Sequence, residues 1–174
     1  MNPDLRKRML ATLAAIALTA CGQQSETSAA LDPIEINSGT ACSLDGMLLA
    51  DYPGPKAQIH YAGQAEPDYF CDTVEMFHLY LTPEQVRAVR GLFVQDMGRA
   101  DWDQPRGNWI DAKKAYYVHG SKRRGSMGPT IASFALEKDA AKFAAEYGGK
   151  VYRFSDITPD MVVLDGGALH DSNM

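Results

Sequence analysis

Apolar and polar positions divide the chain into stretches with different demands. Residues 9–20 are a run of Ala, Leu, Ile and Thr behind Met9, shorter than the roughly 20 residues a membrane-spanning helix requires. Residues 22–39 are small and polar with almost no apolar periodicity, which predicts a flexible tether. The folded part should begin near Thr40 or Ala41. Residues 47–50 and 58–62 then read as strands on either side of the turn Tyr52-Pro53-Gly54-Pro55. Asp72-Thr73-Val74-Glu75 has the form of a capping box, and Met76, Phe77, Leu79, Tyr80 and Leu81 supply an apolar helical surface behind it. Thr82, Pro83 and Gln85 stand at N-cap, N1 and N3 of a second helix, expected to reach Arg90 and stop at Gly91, with a strand starting at Leu92. Residues 96–115 are irregular, anchored by Trp102 and Trp109. Residues 115–119, 131–136 and 150–154 read as strands, and 137–147 as a helix stopped by Gly148-Gly149. Each half has an element ending in Gly-Met or Met-Gly, then a strand, then a helix, with Met47 and Met127 in comparable places. The expectation is an α+β fold of two similar strand-strand-helix halves, as a duplication would produce.

The beginning of the chain changes the picture of where it works. Arg6, Lys7 and Arg8 precede the apolar run, and Leu18-Thr19-Ala20-Cys21 resembles the lipobox of bacterial lipoproteins, in which the cysteine is acylated. On this reading residues 1–20 are a signal peptide, residues 21–39 a tether held in a membrane through acylated Cys21, residues 40–164 one domain, and residues 165–174 a polar tail. The anchor would be lipid, on the periplasmic side of a bacterial membrane, with the outer membrane the expected one. The whole chain carries −5 at pH 7, and residues 1–20 contribute +2 of it, so the remainder stands at −7. An acidic chain without long basic runs is a poor nucleic-acid binder. The loop Lys122-Arg123-Arg124 reads as a solvated tip or as a docking surface for an acidic partner.

Export means an oxidising compartment, so Cys42 and Cys71 could pair as one structural disulfide. They could instead serve as thiolates for a metal. The stretch Cys42-Ser43-Leu44-Asp45-Gly46-Met47 puts a thiol, a carboxylate and a thioether within six residues. Met47 and Met127 each lie beside glycine in a polar loop, where a thioether gains little by packing. Thiolate and thioether donors suit Cu(I), whereas zinc would call for more Cys or His and calcium for several oxygens. Asp45 is either an outer ligand or the cap of an Asp-Gly turn. His60, His78, His119 and His170 sit singly in predicted strands, a helix and the tail, which favours ordinary packing roles. There is no HExxH, GxSxG, P-loop or CxxC, and no spacing that marks a catalytic acid–base pair. The residues alone leave open a metal carrier and a docking lipoprotein with a Cys42–Cys71 disulfide that supports an assembly complex.

Four blocks, CSLDGMLLADYPGPKAQI, FCDTVEMF, VQDMGRADW and GSMGPTIASF, stand in the order in which the NosL family carries them, and the chain resembles that family from the lipobox to about Phe154. The resemblance implies a non-enzymatic, periplasmic, lipid-anchored Cu(I) chaperone that supplies copper for the copper centres of nitrous oxide reductase. It would act on that enzyme, or with an ABC-type membrane complex, or both. It also implies an α+β fold of two similar halves. On the family's motif positions fall Cys42, Met47 and Met127, implied as copper ligands. Cys71 and Met76 match a second block and are, with Asp45, the secondary candidates for the metal. Many relatives read Cys-x-x-Cys-Gly-Met, and here Asp45 takes the place of the second cysteine. Three protein donors leave room for a partner, or for a second copy in a homodimer, to complete the site.

Overall fold

A computed structural model describes residues 31–164 of the protein. The signal segment, Cys21 and residues 165–174 with His170 lie outside the described residues. The elements in chain order are β1 (Ala57–Tyr61), β2 (Asp68–Phe70), α1 (Thr73–Leu81), β3 (Val89–Gln95), β4 (Trp109–Asp111), β5 (Tyr116–His119), β6 (Arg124–Gly125), β7 (Gly128–Pro129), β8 (Ala132–Phe134), α2 (Glu137–Tyr147) and β9 (Lys150–Arg153). They form one sheet of order β2-β1-β3-β4, a second of order β8-β5-β9, and the small hairpin β6-β7.

Two units of one topology are visible in this order. In each, a central strand pairs antiparallel with a second and a third strand, and a helix joins the second to the third. Even the register agrees: Ala57 opens β1 opposite Phe70 at the end of β2, and Tyr116 opens β5 opposite Phe134 at the end of β8. The α+β fold of two similar halves expected from the sequence is therefore present, in a strand-strand-helix-strand form. The expected equivalence of Met47 and Met127 does not hold. Met47 precedes the first unit, whereas Met127 lies in the hairpin turn inserted between the first and second strands of the other.

β1 is buried along its whole length. Alternation along a strand sends Ala57, Ile59 and Tyr61 into the main core, where Phe77, Tyr117 and Ile131 from both units meet them. Gln58 and His60 face the other way and are paired: Gln58 Nε2 donates to the Ile34 carbonyl (2.8 Å), its Oε1 accepts from Ile34 N (3.0 Å), and His60 Nε2 lies 2.9 Å from the same oxygen. Ile36 is buried, and Glu35 accepts from the Trp109 indole at 3.0 Å. Residues 31–39, expected as the end of a tether, are thus seated on the domain. A buried central strand with two polar side chains needs a cover that can bond them.

Two further expectations are corrected. Residues 82–90 form a turn and the start of β3 in place of a helix. Gln85 N bonds the Thr82 carbonyl (3.0 Å), and the Gln85 side chain bonds back to Arg87 N at 2.7 Å. Val86 is 90% exposed, so a helix here would bury no apolar face. Val89–Gln95 instead satisfies its backbone against β1. Residues 47–50 make a single bridge, Ala41 to Leu48, and then the 3-10 turn Leu49–Asp51, because Leu49 packs with Ile36, Cys42 and Cys71 and not into a sheet.

Candidate metal centre

Residues 42–47 form a tight turn: Cys42 N donates to the Met47 carbonyl (2.8 Å) and Gly46 N to the Cys42 carbonyl (2.9 Å). Gly46 sits at φ +80°, a left-handed conformation for which glycine carries no side-chain penalty. Asp45 Oδ1 accepts from Met47 N at 3.0 Å, which is the capping role. The turn is fixed to the end of β2 by Ser43 N donating to the Tyr69 carbonyl (2.7 Å) and Tyr69 N donating to Ser43 Oγ (3.0 Å). Two residues after Tyr69 comes Cys71, so this pairing brings the two thiols together across 29 positions of sequence. Both are buried and both are free thiols, so the alternative of a Cys42–Cys71 disulfide is not the state of this structure.

The third member arrives with α1. Asp72 caps this helix, accepting from Val74 N at 2.9 Å, and Glu75 closes the capping box by accepting from Asp72 N at 3.2 Å. That bond holds the Glu75 carboxyl over the helix start, and from there it reaches both sulfurs at 3.4 Å. Donor atoms of Cys42, Asp45, Cys71 and Glu75 all lie within 4.8 Å of one another. Three of the four residues are buried and Asp45 is exposed, so the group is open on one side.

Beneath the group lies Lys56, fully buried, its Nζ donating to the carbonyls of Pro53 and Cys71 at 3.0 Å each. Burial lowers the Lys56 ammonium to about 8, against the opposing pull of Asp72. A hydrogen bond from the Cys71 thiol lowers the Cys42 thiol to about 6, and backbone N–H groups add to this, including Leu44 N at 3.4 Å from the sulfur. The same bond, with burial, pushes Cys71 far up. The pair is thus asymmetric, with Cys42 the more readily ionised thiol and Cys71 the one that holds its proton. Burial raises Glu75 to about 7, with the Cys42 charge adding to the rise, and burial raises Asp72 to about 7.

On the open side is a cavity of about 490 Å³ whose walls include Asp45, Asp72, Glu75, His119, Met127 and Met161. Met127, 40% exposed, faces this space from the β6-β7 turn. Met47 is half-buried and packs with Ile36, Leu49 and the two cysteines. Met76 goes elsewhere: it is fully buried in the main core with Phe77 and Tyr117, as its position one residue past Glu75 on the helix turns it away. Of the residues proposed from the sequence, the structure gathers Cys42, Asp45, Cys71 and Met47 at one place, sets Met127 across the cavity, and removes Met76. Glu75 and Lys56 were missed. Cys71 and Glu75 at i and i+4 across a helix start was a usable signal for the first; a lysine before a strand gave none for the second.

Two sulfurs, one of them readily ionised, and two carboxyl groups form a donor set that a soft or borderline ion fits and calcium or magnesium does not. Fold and donor set together define a small α+β protein that presents a buried thiol pair to a metal ion at the edge of an open cavity. The chain belongs to the NosL family, whose model matches residues 33–162. It is 39% identical over 169 residues to the "Copper-binding lipoprotein NosL" of Stutzerimonas stutzeri, covering 94% of this chain and 87% of that one. It is 39% identical over 163 residues to the protein of the same name from Achromobacter cycloclastes, covering 91% and 83%. Its fold is similar to that in the crystal structure of the copper chaperone NosL from Shewanella denitrificans, with a TM-score of 0.71 and 39% identity over 74% of this chain and 97% of that one.

Proposed function

We propose that this chain is a periplasmic, lipid-anchored Cu(I) chaperone that carries copper for maturation of the copper centres of nitrous oxide reductase, handing it to that enzyme or to a membrane complex that assembles it. The observation that carries this reading is the buried Cys42–Cys71–Glu75 group beside an open cavity. The names of the relatives support copper as the ion and a lipoprotein as the form. Cys42 meets the ion as a thiolate. Cys71 and Glu75 give up protons as it binds, so loading releases protons and unloading takes them back. Thioethers do not titrate in this range, so Met47 from the buried side or Met127 from the cavity side holds the ion without adding charge. The open side leaves a coordination position for a partner's donor, which is what transfer between proteins needs.

The test is a Cu(I) titration of the domain without its signal segment, against a chromophoric chelator, under anaerobic and reducing conditions. One equivalent should bind tightly, and the Cys42→Ser variant should lose at least about a hundredfold in affinity, since the one ionised sulfur is gone. Equal affinity in the variant would sink the reading. Loss of both free thiols on non-reducing purification, with no copper bound, would favour the disulfide-bearing docking protein.

A further inference from the structure

We infer that Lys56 is a specificity-determining residue: its buried positive charge biases the thiolate–carboxylate group toward a monovalent ion and against a divalent one. This rests on the copper reading and adds to it the reason for the choice of ion. Lys56 precedes β1 and has no exposed surface. Its Nζ is tied to the carbonyl of Cys71, one of the two thiol residues, and to that of Pro53. Among the described residues the ion pairs are Arg87–Asp68, Lys114–Asp111 and Arg123–Asp103, so Lys56 is not matched by a carboxylate in contact. The acidic groups whose fields reach it are Asp72 and Glu75, together with the Cys71 thiol, while Arg106 opposes them. Those acidic groups are the site and its helix cap. Two of the three, Cys71 and Glu75, are therefore groups that would receive a metal ion.

Burying a lysine is costly. Bridging two carbonyls does not require one, because a neutral Gln amide offers two N–H donors. What an amide does not supply is charge. A fixed positive charge repels a bound cation in proportion to that cation's own charge. For charges within about 10 Å at an effective dielectric near 20, one extra unit of ion charge weakens binding roughly tenfold or more. The donor set by itself is acceptable to Zn(II), with two sulfurs and two carboxylates. The ammonium beneath it tilts the balance toward Cu(I).

The experiment measures Cu(I) and Zn(II) affinities separately, each against its own chelator, for the unaltered domain, Lys56→Gln and Lys56→Met. The quantity read is the Zn(II)/Cu(I) affinity ratio, which a purely structural lysine would leave unmoved because lost packing weakens both ions alike. Lys56→Gln should raise the ratio about tenfold or more. Lys56→Met removes the charge with an apolar side chain of similar length, a replacement that buried charges often tolerate, and should raise the ratio likewise. An unchanged ratio in folded Lys56→Gln overturns the inference. If Lys56→Gln does not fold, Lys56→Met decides: a raised ratio supports the inference, an unchanged or lowered one overturns it. Failure of the unaltered domain to bind Cu(I) would instead overturn the copper reading.

Discussion

The two units share strand order, register and helix placement, yet among the described residues only the first contributes to a group of metal-ligating side chains. In each, the second strand ends in phenylalanine, two residues follow, and a helix begins. After Phe70 those residues are Cys71 and Asp72, with Glu75 three positions beyond the cap. After Phe134 they are Ala135 and Leu136, with Asp139 in the place of Glu75. Asp72 caps its helix with a side-chain bond, while Leu136 makes none and α2 begins without one. Instead, Ala140 and Phe143 of α2 pack with Phe134 and Trp102, so the second helix is held by its apolar face. The topology is thus satisfied by either kind of helix start. The polar start is an added demand, and it is met by residues that also form the donor group.

The sharpest way to break this contrast is to give the first unit the second unit's residue. Cys71→Ala places alanine where Ala135 stands. It removes the thiol that donates to Cys42 and one of two sulfurs, so Cu(I) affinity should fall at least about a hundredfold in the chelator competition. The fold should survive with a loss of about 1 kcal/mol in denaturant unfolding, because only a small buried side chain is trimmed. Unchanged affinity would mean that the helix start is structural in both units alike.

Titration sharpens the same contrast, since Ala135 and Leu136 have nothing to protonate where Cys71 and Asp72 do. Because Cys71 and Glu75 lose protons on loading, Cu(I) affinity should already fall as pH drops through neutrality, by about tenfold per pH unit for each proton released. It should fall more steeply still below about 6, where Cys42 also takes up a proton. Stability of the metal-free domain follows two opposite signs. Asp72 and Glu75, raised to about 7, keep protons that the unfolded chain has lost above its ordinary carboxyl range, so they cost stability that grows from about pH 4 to about 7. Cys42 is lowered, so its contribution is full above the ordinary thiol range and is lost as pH falls through about 6. Asp72→Asn removes one carboxyl's share. Its stability relative to the unaltered domain should therefore improve between pH 5 and 7, by up to a few kcal/mol in urea unfolding. No change in that difference would show Asp72 to be ionised throughout.

Local signals in the sequence were informative where a residue's role is settled by its neighbours in the chain. The helix over 137–147 matches α2 in both bounds, and the capping box at Asp72 was read four residues at a time. The signals failed where a distant strand decides. Thr82-Pro83-Glu84-Gln85 is a sound helix start in isolation, but β1 recruits the following residues as β3. Segment 31–39 looked like linker because its partners, Gln58 and Trp109, are more than twenty residues away. The site shows the same division. The turn at Cys42 and the cap at Asp72 were each legible, but their meeting depends on the Ser43–Tyr69 pairing, which no periodicity announces. Glu75 was read as part of a helix start and nothing more, because a capping residue and a ligand look alike in sequence.

The smallest effect concerns Met127, which belongs to the second unit only through an insertion. Its hairpin is clamped at the base: Trp102 Nε1 donates to the Arg124 carbonyl at 3.1 Å, and the Arg123 guanidinium lies 4.6 Å from the Trp102 ring. Met127 at the turn is part exposed and shares the cavity with Asp45 and Glu75. Met127→Leu keeps size and hydrophobicity while removing the thioether. Stability should be unchanged within about 0.5 kcal/mol, as expected for a part-exposed position. Equilibrium Cu(I) affinity should fall only a few-fold, because the thiolate carries most of the attraction and a neutral thioether adds little to it. A loss as large as that in Cys71→Ala would make Met127 a principal ligand, and the site would then belong to both units. No loss at all would confine the site to the first unit and leave the second as scaffold.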